Sequence, residues 1–454
     1  MQKLFDEVAT LDRRCYEEFA LSEDILMEHA ALGMANFIRS KFSRDSKIII
    51  VCGSGNNGAD GITAARLLHL DYNVSIFYAK KPKSKMAILQ DKRAKNAGVK
   101  ESKKLEDCDV LIDAVVGTGF SGEFDESINS LLEGMNRLNA FKIACDIPSG
   151  SQFMADITLT MGALKKSMFL DKAKEFVGKI KVVDLGISRE LYEKKTNWNL
   201  LDLDDLKLPY RTKKDSHKGS FGHLALTCGE KSGAAIMSAL SALKFGSGLV
   251  TLVGFEDRVI PHTIMYSHEV PNNATSLALG MGLGEEFSDI ELDKFLNNEL
   301  PLIVDADIFQ MQIILKILKR KDLVITPHVK EFISLLKIID IADITVCELQ
   351  KNRFQYTEKF CKKFPDVTLI LKGANVIIAK GDDFYINPHG TPSLAKGGSG
   401  DVLSGLVGSL LAQGYDSLNA AINASLAHTK LALDYKGADF SLTPDDLIEG
   451  IGRL

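Results

Sequence analysis

The chain has 454 residues, 45% hydrophobic and 25% charged, with 36 Gly and only 11 Pro, a composition of globular α/β proteins at a length that calls for two or three domains. A net charge of −5 speaks against nucleic acid or an acidic membrane as partner. With no apolar run near the roughly 20 residues that span a bilayer, no signal-peptide core and seven scattered cysteines lacking CxxC or metal-ligand spacing, reduced thiols in the cytoplasm are expected.

In chain order, Ser22-Glu-Asp reads as a capped helix start, and Leu26, Ala30, Gly33, Met34, Phe37 and Ile38 fall on one face of the helix. Lys47–Cys52 (KIIIVC) reads as a buried strand that runs into Gly53–Gly61 (GSGNNGADG) and then a helix through Leu70. Strand, glycine-rich loop and helix form the phosphate-cradling unit of doubly wound sheets. The amide and carboxylate oxygens of Asn56, Asn57 and Asp60 add ligands for a hard cation, a sugar or an amide; an unliganded Asn/Gly turn is the plainer alternative. Asp109–Gly122 places Asp113 late in a strand before a glycine-rich bend, and Phe141–Gly150 ends a strand with Asp146, Pro148 and Ser149. In a parallel sheet the loops beyond the strands' carboxyl ends converge, which would bring Asn57, Asp113, Asp146 and Ser149 together.

LMEHA in the first helix, GSGNNGADG, DAVVGTGFSG and DIPSG together resemble the NAD(P)H-hydrate epimerase domain over residues 1–205. The resemblance implies a Rossmann-like three-layer domain that interconverts the R and S epimers of a hydrated nicotinamide nucleotide. By motif, Asn56, Asn57, Gly58, Ala59 and Asp60, the segment Gly117, Thr118, Gly119, Phe120, Ser121, Gly122 and Glu123, and Asp146 would contact the hydrate. Asn57, Asp113 and Ser149 would hold K+, and Asp146 would be the acid/base. The chain departs from the family at Ala59, where glycine is usual, and in the shortened stretch after Gly150.

Strand-like Lys179–Asp184 closes this half, and a polar linker reaches to about Lys214, with the boundary expected at 205. Beyond it, strands His223–Cys228, Leu249–Val253, Leu277–Gly284, Leu302–Asp307, Leu323–His328, Val367–Lys372 and Asn375–Ala379 alternate with helical segments such as Ala234–Phe245, a second α/β domain. Its densest motif is Thr391–Gly405 (TPSLAKGGSGDVLSG). A helix starting at Ser399–Asp401 would aim bare N–H groups at an anion, with Asp401 placed to take a proton from a hydroxyl; a Gly-rich turn with Asp401 as an ordinary N-cap is the plainer alternative. Lys372 supplies a cation for phosphates, and His328 could orient a substrate, although a lone His is more often structural. An anion hole, a placed charge and an aligned hydroxyl are what phosphoryl transfer requires.

KGSFGH, LGMGLG, DAD, TPHVKEF, KGANVII and GGSGDVLSG resemble the ADP-dependent NAD(P)H-hydrate dehydratase, a ribokinase-like domain, over residues 206–454. The resemblance implies phosphorylation of the hydrate's hydroxyl by ADP with Mg2+ (ATP is possible), then loss of phosphate. Lys372, Gly373, Ala374, Asn375 and Val376, with Gly397, Gly398, Ser399 and Gly400, would bind the adenine nucleotide. Ala234, Gly282, His328 and Asp401 would bind the hydrate, Asp401 as catalytic base. Met281 and Val329-Lys330 stand where the family has Pro and Pro-Gly.

The reading is therefore a bifunctional repair enzyme acting on NAD(P)H hydrate and an adenine nucleotide, with a homo-oligomer expected. A ribokinase-like small-molecule kinase with a non-catalytic nucleotide-binding N-terminal domain is the alternative enzyme, and a first half that only binds or scaffolds is the non-catalytic one.

Overall fold

The computed structural model describes residues 1–119, 122, 124–254 and 259–454. The chain forms two compact units, Lys3–Thr196 and Asn197–Leu454, the second also taking in Met1–Gln2.

In the first unit, β1 (Lys47–Cys52), β2 (Asn73–Tyr78), β3 (Lys100–Glu101), β4 (Val110–Ala114), β5 (Phe141–Cys145), β6 (Ile157–Met161) and β7 (Lys179–Val183) form a parallel sheet in the order β3-β2-β1-β4-β5-β6-β7. Both faces are covered, which is why β1 is apolar throughout. Helix α1 (Ala9–Glu18) comes before the sheet; Ile48, Ile50 and Cys52 pack on helices α2 (Glu23–Lys41) and α3 (Asn56–Leu68), and Ile49 and Val51 pack on Ile128, Leu132 and Met135 on the other side. This is the expected three-layer Rossmann-like arrangement. The chain order reverses direction at β1, so the loops after β1 and β4 flank the switch point where such sheets bind ligands.

Ser22 caps α2 as expected, its hydroxyl accepting from Ile25 N. Helix α3 begins inside the glycine-rich loop, with Gly55 as N-cap, and ends at Leu68 rather than Leu70. Leu70 is 88% exposed, so no burial extends the helix to it. Away from this sheet, Leu4 and Phe5 pair in parallel register with Leu164 and Lys165.

The second unit contains β8 (Trp198–Leu200), β9 (His223–Thr227), β10 (Leu249–Val253), β11 (Met265–Ser267), β12 (Ser276–Leu279), β13 (Leu302–Val304), β14 (Leu323–Ile325), β15 (Val367–Leu371), β16 (Val376–Lys380) and β17 (Asp383–Asn387). Their order is β11-β10-β9-β12-β13-β14-β15-β16-β17-β8, parallel except where β16 runs antiparallel to β15 and β17. The division between units falls earlier than the boundary at 205 because Trp198–Leu200 pairs with Phe384–Ile386. Trp198 also stacks on Phe384, ring centroids 4.7 Å apart. A polar, charged sequence signals a linker but does not reveal a three-residue strand that joins a sheet.

Helix α4 (Ser232–Lys244) packs against α5 (Ser399–Ala412), and α5 in turn on α6 (Ser417–Asp434). Nearly every residue of α5 after Asp401 is buried. The approach to α4 is close enough that a Cβ at Gly405 would stand 2.0 Å from Ser241 Oγ and 2.2 Å from Ser238 O, so only glycine fits there. Helix α5 is thus pinned with its N-terminus at the carboxyl ends of the strands.

Candidate active sites

The first cluster is built from the ends of β1, β4 and β5. Asp146, directly after β5, has φ of 72°, a conformation that Asp tolerates better than most residues. Its amide donates to Leu159 O on β6 at 2.8 Å. Its Oδ1 accepts from Lys165 Nζ at 2.5 Å and from Met161 N at 3.2 Å. Its Oδ2 faces the loop after β4: a Cβ on Gly117 would lie 3.3 Å from Asp146 Oδ2 and 3.4 Å from Asn57 Cβ. Gly117 therefore lets Asp146 and Asn57 approach one another.

Asn57 is 9% exposed, and neither Oδ1 nor Nδ2 of its buried amide has a hydrogen-bond partner among the described residues. An orphaned buried amide is costly unless something else meets it, so this side chain is shaped for a ligand. Asp113 is fully buried and accepts from Ser149 Oγ at 2.7 Å, Ser149 N at 2.8 Å and Val115 N at 3.1 Å. Burial pushes its carboxyl up to about 6, against the bonds from Ser149 and Val115. Ser149 Oγ in turn accepts from Val116 N at 3.0 Å. Asn57 Oδ1, the Asp113 carboxylate and Ser149 Oγ are oxygen ligands of the kind a hard cation prefers.

Asp60, on the same face of α3 one turn on from Asn57, is pushed well above the usual carboxyl range by burial, with Asp146 and Asp12 adding to the shift and Lys165 opposing it. Asn56 reaches away, its amide donating to Glu23 Oε1 at 2.8 Å. Ala59 is fully buried against Met27, Met86 and Ala87, so the methyl absent from the usual glycine packs into α3's flank. Thr118, Gly119 and Gly122 are exposed. Phe120, Ser121 and Glu123 lie outside the described residues.

The second cluster gathers at the ends of β12 to β15 and the start of α5. Gly398 caps α5 with φ of 90°, and a Cβ there would meet Pro444 and Met237 at under 3 Å. A Cβ at Gly400 would lie 3.5 Å from Lys372 Nζ and 3.8 Å from Asp305 Oδ2. Lys372 Nζ donates to Asp305 Oδ1 at 2.8 Å and stands 3.9 Å from Glu331 Oε2, while Ser404 Oγ donates to Asp305 Oδ2 at 2.8 Å. Burial works against the Lys372 ammonium, yet Asp305 and Glu331 together raise it. Burial, reinforced by Asp305, pushes Asp401 up to about 6, and burial pushes Glu331 up to about 7 against Lys372. Ser399 turns its hydroxyl inward, 3.1 Å from buried His428 Nε2, which leaves backbone, not side chain, to face an anion.

His328 does structural work as N-cap of the helix Val329–Ile338: its Nδ1 accepts from Lys330 N and Glu331 N, and its Nε2 is 3.2 Å from Glu331 Oε1. Burial and then Lys372 lower its pKa. Gly282 has φ of 68°, and its Cβ position would be 3.1 Å from Ala234 Cβ, so these two lie together. Asp307 accepts from Gly284 N at 3.2 Å, tying the glycine bend after β12 to the end of β13. Gly373 and Ala374 form the turn between β15 and β16, where Val376 begins and Asn375 is buried; Gly397 has open space around its Cα.

Residues 23–167 match a family model described as YjeF-related protein N-terminus, and residues 224–453 match one described as NAD(P)H-hydrate dehydratase. The bifunctional NAD(P)H-hydrate repair enzyme Nnr of Helicobacter pylori is 43% identical, covering 100% of both chains. The chain belongs to the bifunctional NAD(P)H-hydrate repair enzyme family. The Coxiella burnetii enzyme of the same name is 30% identical over 94% of this chain and 93% of its own. Among solved structures, an ADP/ATP-dependent NAD(P)H-hydrate dehydratase from Bacillus subtilis, co-crystallized with ATP/Mg2+, is 26% identical over 55% of this chain and 94% of its own, with a TM-score of 0.47. Each family match falls inside one structural unit.

For a repair enzyme of this family, three charged groups escaped the sequence reading. Lys165 lies in an apolar stretch and looks like a strand-end lysine. Asp12, which accepts from Tyr192 Oη at 2.7 Å, sits on α-helical Ala9–Glu18 with charges all around it in sequence. Asp305 was visible within DAD, but only its contact with Lys372 gives it a task.

Proposed function

We infer that this chain repairs hydrated nicotinamide nucleotides at two sites: the first unit epimerises R- and S-NAD(P)H hydrate, and the second dehydrates the S form with ADP, releasing AMP and phosphate. The observation that carries this reading is that one chain holds both an Asp146-centred crevice at the switch point of one parallel sheet and an Asp401-centred anion hole at the strand ends of another.

At the first site Asp146 Oδ2 takes the proton from the hydroxyl of the hydrated ring carbon, the carbon–nitrogen bond opens, and reclosure on the other face returns the proton. Asn57, Asp60 and the Gly117–Gly119 stretch hold the nucleotide. The unpartnered Asn57 amide oxygen, with Asp113 and Ser149, would hold K+, which would supply a fixed positive charge at these strand ends.

At the second site Asp401 takes the proton from the same hydroxyl, whose oxygen attacks the terminal phosphoryl of ADP as AMP leaves. Phosphate then departs from the ring carbon while the neighbouring carbon loses a proton, which restores the double bond of NAD(P)H. Lys372–Val376 and the backbone of Gly397–Gly400 hold the nucleotide phosphates. Ala234, Gly282 and His328 line the hydrate's side.

The test is product analysis with purified S hydrate and ADP. Release of AMP, free phosphate and reduced nucleotide supports dehydration. Accumulation of a stable phosphorylated product would instead favour a small-molecule kinase.

A further inference from the structure

We infer that Lys165 is the positioning residue of the epimerase site: it occupies Asp146 Oδ1 so that Oδ2 alone is presented to the hydrate. This rests on the reading of Asp146 as the acid/base.

Lys165 is 0% exposed. An ammonium carries three N–H donors, and all three are spent inside the protein: on Asp146 Oδ1 at 2.5 Å, Thr160 Oγ1 at 2.8 Å and Met161 O at 3.0 Å. No donor is left for a ligand, so Lys165 does not bind substrate. Its effect passes through Asp146. A second donor, Met161 N, completes the hold on Oδ1, which leaves Oδ2 pointing at Gly117 and the unpartnered Asn57 amide.

The backbone is fixed from the same side. Asp146 stays in the left-handed region while its N–H is anchored on Leu159 of β6. Thr160 and Met161 lie on that same strand, and Lys165 is set in place by its parallel pairing with Phe5. Strand β6 and Lys165 thus hold both the main chain and one oxygen of Asp146. Around the pair stand Asp12, Asp60, Tyr192 and Cys145, none of which offers Asp146 a cation. A carboxylate left without this partner would be free to turn its oxygens away from the crevice, and catalytic groups lose large factors when displaced by about 1 Å.

The experiment measures both activities of the full-length enzyme in Lys165→Met, Lys165→Ala and Thr160→Val variants. Lys165→Met is expected to lower epimerase kcat about 10²-fold with KM within about threefold, since the group lost orients the reaction and touches no substrate. Dehydratase turnover stays at the wild-type value. Added ethylammonium restores kcat of Lys165→Ala in proportion to its concentration. Thr160→Val, which removes one anchor of the lysine and leaves no unpaired charge, lowers kcat by a smaller factor in the same direction, and it decides the matter if the Lys165 variants do not fold. A wild-type kcat in the variants, or a raised KM at unchanged kcat, overturns the inference. Failure of the wild-type protein to epimerise would strike the first-site reading instead.

Discussion

Lys372 Nζ lies 2.8 Å from Asp305 Oδ1 and beside the backbone of Gly400. The two residues come from the ends of β15 and β13, strands separated in the sheet by β14. The pair places a cation next to the helix N-terminus, where both favour an anion.

Lys372→Met should therefore raise the KM for ADP and cut dehydratase turnover by about tenfold or more, because the preorganised positive charge is lost from the phosphoryl site. Epimerisation should not change. Steady-state kinetics of both activities check this.

Asp305 accepts from Lys372 and Ser404 while 3% exposed. Asp305→Ala leaves Lys372 only the more distant carboxylate of Glu331, 3.9 Å away, and leaves the buried Ser404 hydroxyl without its acceptor, a change of the class that costs about 1–3 kcal/mol. Urea unfolding followed by Trp198 fluorescence, in the same unit, should show the loss as a lower midpoint.

Asp401→Asn should reduce dehydratase turnover by at least about 10²-fold while ADP still binds, as expected when a general base is removed. The base works only when deprotonated. Since burial has raised its pKa from 3.8 to about 6, turnover should fall as pH drops through about 6, well before an ordinary Asp would protonate. A dehydratase rate that stays level down to pH of about 4.5, more than a unit below that point, would contradict the assignment.

Asn57 allows stability and function to be separated. Its amide is buried and unpartnered, so Asn57→Leu removes two unsatisfied polar atoms and should leave the melting temperature unchanged or higher. Epimerase activity, and any advantage of potassium over sodium, should be lost. A lower melting temperature with intact potassium dependence would show that Asn57 serves the fold.

Gly405 is read as a packing requirement. Gly405→Ala should destabilise the second unit by about 1–3 kcal/mol, the usual cost of forcing atoms into a filled interface, because its methyl would strike Ser238 O and Ser241 Oγ.

Much of this was legible before the fold was known. β1 and α2 announced themselves by a continuous apolar run and by Ser22 ahead of two acids, while Asp113 stood late in a strand and Asp146, Lys372 and Asp401 followed strands or opened a helix where parallel sheets keep their ligand sites. What escaped was long-range. Nothing local in LKKSM says that the first lysine is buried on a carboxylate 19 residues away. The strand Trp198–Leu200 was hidden for the same reason: its partner lies far along the chain, in β17.

The most direct test of two-site repair follows the absorbance of reduced nicotinamide in an R/S mixture of hydrated NADH with ADP, Mg2+ and K+. Full recovery of NADH is predicted, because the first unit converts the R form into the S form that the second consumes. A halt at the S fraction would contradict epimerisation by the first unit, and no recovery at all would contradict the account as a whole.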